Sequence, residues 1–135
     1  MGRMILGIVT GFVIWFVVAS VGNVVFRMSW PGYAQVEPAM TFTLAMLVGR
    51  LLLGVLSSLC AGFVAAWIAK GDATTAKIVG IVLTLFFLPV HYGLWDRFPI
   101  WYHFLFLASL FPITLIGALL FGRGRGSAPP AQDSH

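Results

Sequence analysis

Four uncharged runs constrain this chain more than any motif in it: residues 4–26, 51–69, 78–95 and 98–122, of 23, 19, 18 and 25 residues. About 20 apolar residues at 1.5 Å per residue cross a hydrocarbon layer of roughly 30 Å, so each run is long enough to span a membrane. Lipid offers the backbone no hydrogen-bond partner, which leaves two solutions, helices or a closed barrel. Barrel strands alternate polar and apolar residues over about 10 positions. Residues 78–90 do not alternate, so the expectation is an all-α integral membrane protein, a four-transmembrane-helix up-down bundle.

Composition agrees. The chain is 60% hydrophobic and only 9% charged, against about 25% charged in soluble domains, and a water-soluble core of this size could not bury so much apolar surface. One domain is expected over residues 1–121, with helices at about 4–26, 41–69, 77–95 and 100–121. The tail, 122–135, is rich in Gly, Arg, Ser and Pro and reads as disordered and cytoplasmic. The apolar stretch after Arg3 exceeds the 7–15 residues of a cleaved signal, so it reads as a retained first helix.

Net charge is +4, but the basic residues are spread singly rather than in a stripe, which argues for topology and against nucleic acid. With the N-terminus inside, Arg3, Lys70, Lys77, Arg123 and Arg125 share one side and Arg27 and Arg97 the other. The positive-inside rule then puts both termini in the cytoplasm and two polar connectors outside. The sequence therefore indicates a multi-pass protein of a bacterial cytoplasmic (inner) membrane. Cys60 is the single cysteine and lies within a span, which removes disulfide exchange.

Small residues mark helix contacts. Gly7 and Gly11 form one Gly-x-x-x-Gly, and Gly54, Ser58, Gly62 and Ala66 form a four-residue period along helix two. Such stripes let helices approach closely. The second stripe suggests a homo-oligomer or a partner membrane protein, in addition to the lipid bilayer itself.

Polar chemistry concentrates in residues 89–104, PVHYGLWDRFPIWYHF. His91 lies six residues before Arg97 and His103 six after it. In an antiparallel hairpin turning at Arg97 the two imidazoles sit at equal depth and can face each other. A facing pair could hold a metal or a haem iron, or pass protons; the plainer reading is that both are wet interfacial residues. Trp95, Trp101 and Tyr102 fit an aromatic belt at the membrane surface. With Trp30 and Tyr33 of the first outer connector, they could instead line a ligand pocket.

Arg50 is the other outlier. Counted from a helix start near Ala39, it lies about 16 Å along helix two. A charge at that depth usually faces a partner or water. The lean of helical side chains towards the N-terminus would carry it towards Glu37 or Asp96, the two acids of the outer side. If helix two instead enters the hydrocarbon only at Leu51, Arg50 is an interface anchor. The plainer reading of Asp96, beside Pro99, is that it caps the turn.

Familiar catalytic signatures are absent, among them Gly-x-Ser-x-Gly, His-Glu-x-x-His and the phosphate loop. Helix one also lacks the membrane-embedded glutamate of small multidrug exporters. The functional expectation is a non-enzymatic protein with no cofactor, binding a small ligand or partner at the outer cluster as an accessory subunit or minor carrier. Arg50, Glu37, His91, Trp95, Asp96, Trp101, Tyr102 and His103 are its candidate binding residues. The alternatives are a metal- or haem-binding redox protein using His91 and His103, and an oligomeric proton- or ion-coupled transporter using Arg50.

Overall fold

The computed structural model describes residues 2–126, and they contain helices and turns with no strand. The helices are α1 (Gly2–Ser29), α2 (Tyr33–Val36), α3 (Leu44–Ile68), α4 (Ala73–Gly93) and α5 (Ile100–Gly126). All but the single turn of α2 are long and apolar enough to cross a membrane, as in a multi-pass membrane protein. Residues 122–126, expected in the tail, continue α5; the rest of that tail lies outside the described residues.

Local chemistry sets the helix ends. Thr43 caps α3 by accepting from the Met46 N–H at 3.3 Å, and Asp72 caps α4 by accepting from the Thr74 N–H at 3.0 Å. These are the expected partners of orphan N–H groups in a first turn. The Asp72 cap draws residues 73–76 into α4, so that helix begins earlier than its uncharged run. α3 ends with Lys70 in the left-handed region (φ 57°), the Gly71 N–H reaching back to the Ala66 carbonyl at 2.7 Å, the geometry of a Schellman stop.

The same device resets the start of α3. Met40 is left-handed (φ 56°), and the Thr41 N–H bonds the Val36 carbonyl at 3.2 Å. Residues 37–40 therefore form a turn after α2, and the helix expected from Ala39 begins at Leu44. Arg50 is consequently about 9 Å into α3, not 16 Å.

Consecutive long helices run antiparallel. α3 packs most closely on α5 and α1, and α4 touches α1, α3 and α5. In section this is a diamond, with α3 and α4 on the shared edge and α1 and α5 at opposite corners. Its two ends differ. The α3–α4 turn with Lys70 makes one, the lysine end, while residues 30–43 and 94–99 make the other, the hairpin end. There the two connectors meet through Phe42 stacked on Phe98 at 6.1 Å between centroids and Arg97 donating to the Ala39 carbonyl at 3.4 Å.

Helices in lipid gain little hydrophobic energy by associating, so close backbone approach has to supply the attraction. Both small-residue stripes serve that purpose inside the chain. A Cβ on Gly11 would lie 3.1 Å from the Ala61 carbonyl oxygen, one on Gly62 would fall onto the Thr114 carbonyl, and one on Gly117 onto that of Leu59. Ser58, on the same stripe, accepts from the Trp15 indole N–H at 3.0 Å and donates to the Gly54 carbonyl at 2.8 Å. The stripe read as an oligomer contact is thus occupied by α1 and α5 of the same chain.

The mid-bundle core gathers Trp15, Leu83, Phe87, Phe106 and Leu110. Span hydroxyls bond their own helix: Thr84 to the Gly80 carbonyl at 2.8 Å and Thr114 to that of Leu110 at 2.6 Å. Each of these two hydroxyls thus has its acceptor within its own helix, where lipid offers none.

Candidate functional site

The hairpin between α4 and α5 positions both histidines. The Leu94 N–H closes α4 on the Val90 carbonyl at 3.1 Å, and the Pro99 carbonyl opens α5 by accepting from the Tyr102 N–H at 3.1 Å. The turn between them is symmetric enough that His91 Nδ1 and His103 Nδ1 lie 2.6 Å apart. The rings meet edge to face, with centroids 4.9 Å apart.

Neither histidine is a wet interfacial residue. His91 is 5% and His103 0% exposed, and the Trp95 ring stacks over His103 at 4.9 Å. His103 Nε2 lies 3.3 Å from the Trp95 carbonyl oxygen. A carbonyl only accepts, so in the neutral pair Nε2 of His103 carries the proton and its Nδ1 is bare. The short contact then requires His91 to donate from Nδ1. That leaves His91 Nε2 as an unprotonated acceptor.

This geometry does not suit a shared metal ion. Two bonds of about 2.0–2.1 Å to one tetrahedral ion would hold the nitrogens more than 3 Å apart, and here they bond each other. Among the described residues no third histidine, cysteine or carboxylate joins them in a ligand set.

Arg50 sits beside this pair, and its partners differ from those expected. Glu37 is engaged by Arg27, Nε to Oε1 at 2.5 Å, and Asp96 is exposed on the turn. Arg50 Nη1 instead donates to the Tyr33 hydroxyl at 2.7 Å and the Asn23 Oδ1 at 3.3 Å. Tyr33 in turn donates to Asn23 Oδ1 at 2.9 Å. The guanidinium carbon lies 4.6 Å from the centroid of the Phe42 ring, and the Tyr102 phenol adjoins the same group. The late start of α3 and the α2 turn explain this choice: α2 folds Tyr33 beneath the connector, where it is 0% exposed. The lean towards the hairpin end holds; the acidic partner does not.

Every oxygen around Arg50 is therefore neutral. Its Nε is buried and is the one such side-chain atom among the described residues without a hydrogen-bond partner. Unpartnered buried donors are uncommon in folded proteins and call for a reason.

A half-enclosed cavity of about 250 Å³ supplies the setting. Phe16, Phe87, Phe98 and Phe106 form apolar walls, and Arg50, Asn23, His91 and Tyr102 contribute polar groups. Tyr102, read as part of an aromatic belt, is 3% exposed and belongs to this wall. Trp95 and Trp101 remain at the surface, 44% and 38% exposed. Trp95, Trp101, Asp96, Glu37 and His103 do not line the cavity. Of the eight candidate residues, the fold thus brings Arg50, His91 and Tyr102 onto it, with His103 directly behind His91.

Asn23 was the missed member. Its signal lies in a helical stripe of α1: Phe16, Ala19, Ser20 and Asn23, at spacings of three, four and seven, all line the cavity, and Asn23 is the one amide in the first uncharged run. Phe42 had no comparable signal, because its approach to Arg50 depends on the turn at Met40. No known protein family, curated protein or solved structure matches this chain.

Proposed function

We propose that this protein binds a small amphipathic anion within the bundle, its charged head on Arg50 and its apolar part between the phenylalanines. One observation carries the reading: a guanidinium inside a span, in contact with neutral oxygens and a ring face, whose Nε donor has no partner and which opens on an apolar cavity. An arginine inside a span costs energy, up to roughly 3 kcal/mol on insertion scales when it sits at the centre. A ligand carboxylate or phosphate on the part of the guanidinium that lines the cavity would offset that cost, through the charge-assisted hydrogen bonds that a guanidinium favours.

Binding fits the cavity better than chemistry or passage. Its lining contains no carboxylate or thiol, and the one imidazole there, that of His91, is hydrogen-bonded to a second imidazole and to no nucleophile. Towards the lysine end the bundle closes by backbone contact at Gly11, Gly62 and Gly117, which supports a pocket with one mouth over a route across. In a bacterial cytoplasmic membrane, with the lysine end inside by the positive-inside rule, the mouth would sit in the outer half of the bilayer. The protein would then act as a ligand-binding accessory subunit or a minor carrier, alone or as an oligomer.

The test is equilibrium binding of radiolabelled octanoate, hexyl phosphate and octylamine to the protein in nanodiscs, with empty nanodiscs subtracted. Saturable binding of the anions but not the amine, weakened at least about tenfold in Arg50→Met, is expected from the loss of one charge-assisted contact. Equal binding of anion and amine, or anion binding unchanged in Arg50→Met, would reject the reading.

A further inference from the structure

The cavity presents a second polar group with no partner in the protein, and its chemistry is opposite to that of Arg50. His91 Nδ1 is committed to His103, whose Nε2 is committed in turn to the Trp95 carbonyl. The backbone carbonyl at the end of this chain sets both tautomers, so His91 Nε2 is held as a hydrogen-bond acceptor. No hydrogen bond reaches Nε2 from the described residues, yet it is not among the sealed and unpartnered atoms, of which Arg50 Nε is the one example. Since His91 is 5% exposed and lines the cavity, that nitrogen opens on the cavity.

The ring that carries it is rigidly held. His91 packs on Phe106 at 4.6 Å and Tyr102 at 6.1 Å between centroids. An acceptor fixed in direction by packing and by a second hydrogen bond discriminates between ligands better than a mobile one, because a ligand that does not donate to it leaves it buried and unpaired.

The cavity thus offers donors at Arg50 and an acceptor at His91, about 250 Å³ being small enough for one head group to face both. A simple carboxylate satisfies the arginine and leaves the imidazole bare. We propose that the preferred ligand is a hydroxylated amphipathic anion, its carboxylate or phosphate on Arg50 and a nearby hydroxyl donating to His91 Nε2. This inference rests on the anion reading above and specifies its ligand class. The volume falls below the roughly 300–1,000 Å³ of most ligand clefts, so the cavity holds the head group and the first carbons, and the rest of the chain leaves between helices.

Octanoate and 3-hydroxyoctanoate, compared in the nanodisc assay on the unmodified protein, test this without reliance on any variant. The hydroxy acid is expected to bind about tenfold more tightly, the worth of one buried hydrogen bond. In His91→Phe, which keeps an aromatic ring in the packing, the two acids should bind alike and still depend on Arg50. Equal affinity of the two acids in the unmodified protein, with both lost in Arg50→Met, would overturn the hydroxyl inference and leave the anion site standing. A preference that persists in His91→Phe would also overturn it, since the hydroxyl would then be read elsewhere. Binding of neither acid would remove the anion site and this inference together.

Discussion

Replacing Arg50 with methionine should remove the anion site at almost no cost to the fold. In the folded protein the guanidinium gains two hydrogen bonds through Nη1, to Tyr33 and Asn23; bonds from a charged donor are worth about 1.5–3 kcal/mol each. The Phe42 face, 4.6 Å away, adds roughly 1–2 kcal/mol. Against this stand about 3 kcal/mol for a cation within a span and about 1–3 kcal/mol for the unpartnered Nε–H. Gains of about 4–8 and costs of about 4–6 kcal/mol nearly cancel. Methionine fills similar length without a charge, and Tyr33 keeps its bond to Asn23 at 2.9 Å, so neither acceptor of Nη1 is stranded. The expected change in unfolding free energy is less than about 2 kcal/mol, measured by steric trapping or SDS titration in bicelles, while octanoate binding is lost. A destabilisation above about 4 kcal/mol would show Arg50 to be a structural keystone and refute this accounting.

Further expectations follow from other contacts. Gly62→Ala drives a methyl into the Thr114 carbonyl, whose carbon is 2.8 Å from the Cβ position; the obstacle is backbone, so unfolding in SDS should come easier by about 1–3 kcal/mol, and an unchanged transition would mean that α3 and α5 are not this close. Gly7→Ala meets the Thr75 Cγ2 at 3.0 Å and the Ala65 carbonyl oxygen at 3.1 Å, a looser fit than at Gly62, where the Cβ would fall onto the Thr114 carbonyl oxygen, and should cost less than Gly62→Ala in the same titration. Ser58→Ala strands the buried Trp15 indole N–H, for an expected loss of about 1–3 kcal/mol; adding Trp15→Phe removes the stranded N–H, so the double variant should lose less than the sum of the two single variants. Long-range proton–nitrogen NMR of labelled protein should find His91 protonated at Nδ1 and His103 at Nε2, and the reverse assignment would break the tautomer argument.

The candidate site is partly legible in the sequence. Equal spacing of His91 and His103 about Arg97 places them at one depth in any tight helical hairpin, because rise per residue is fixed, and the structure brings them to 2.6 Å. Their burial was not legible: whether a ring near a helix end faces lipid, water or a neighbour depends on helix rotation, which here puts His91 against Phe106 and Tyr102. Arg50 was marked by its position between apolar runs. Its partners are neutral oxygens and not the two outer acids, because Glu37 lies near Arg27, which binds it first.

By itself, then, the sequence determined that four apolar stretches become long helices. A backbone removed from water must satisfy its own hydrogen bonds, and that requirement acts on each segment locally. It also marked where polar residues are too costly to be incidental. Only the tertiary structure decided which faces meet: the small-residue stripe of α3 serves α5 and α1 of the same chain, and Tyr33 and Asn23, ten positions apart, converge on one guanidinium. Those outcomes turn on a left-handed residue at Met40 and on helix rotations of a few tens of degrees. Both are set by the sum of many weak packing contacts, which no single stretch of sequence contains.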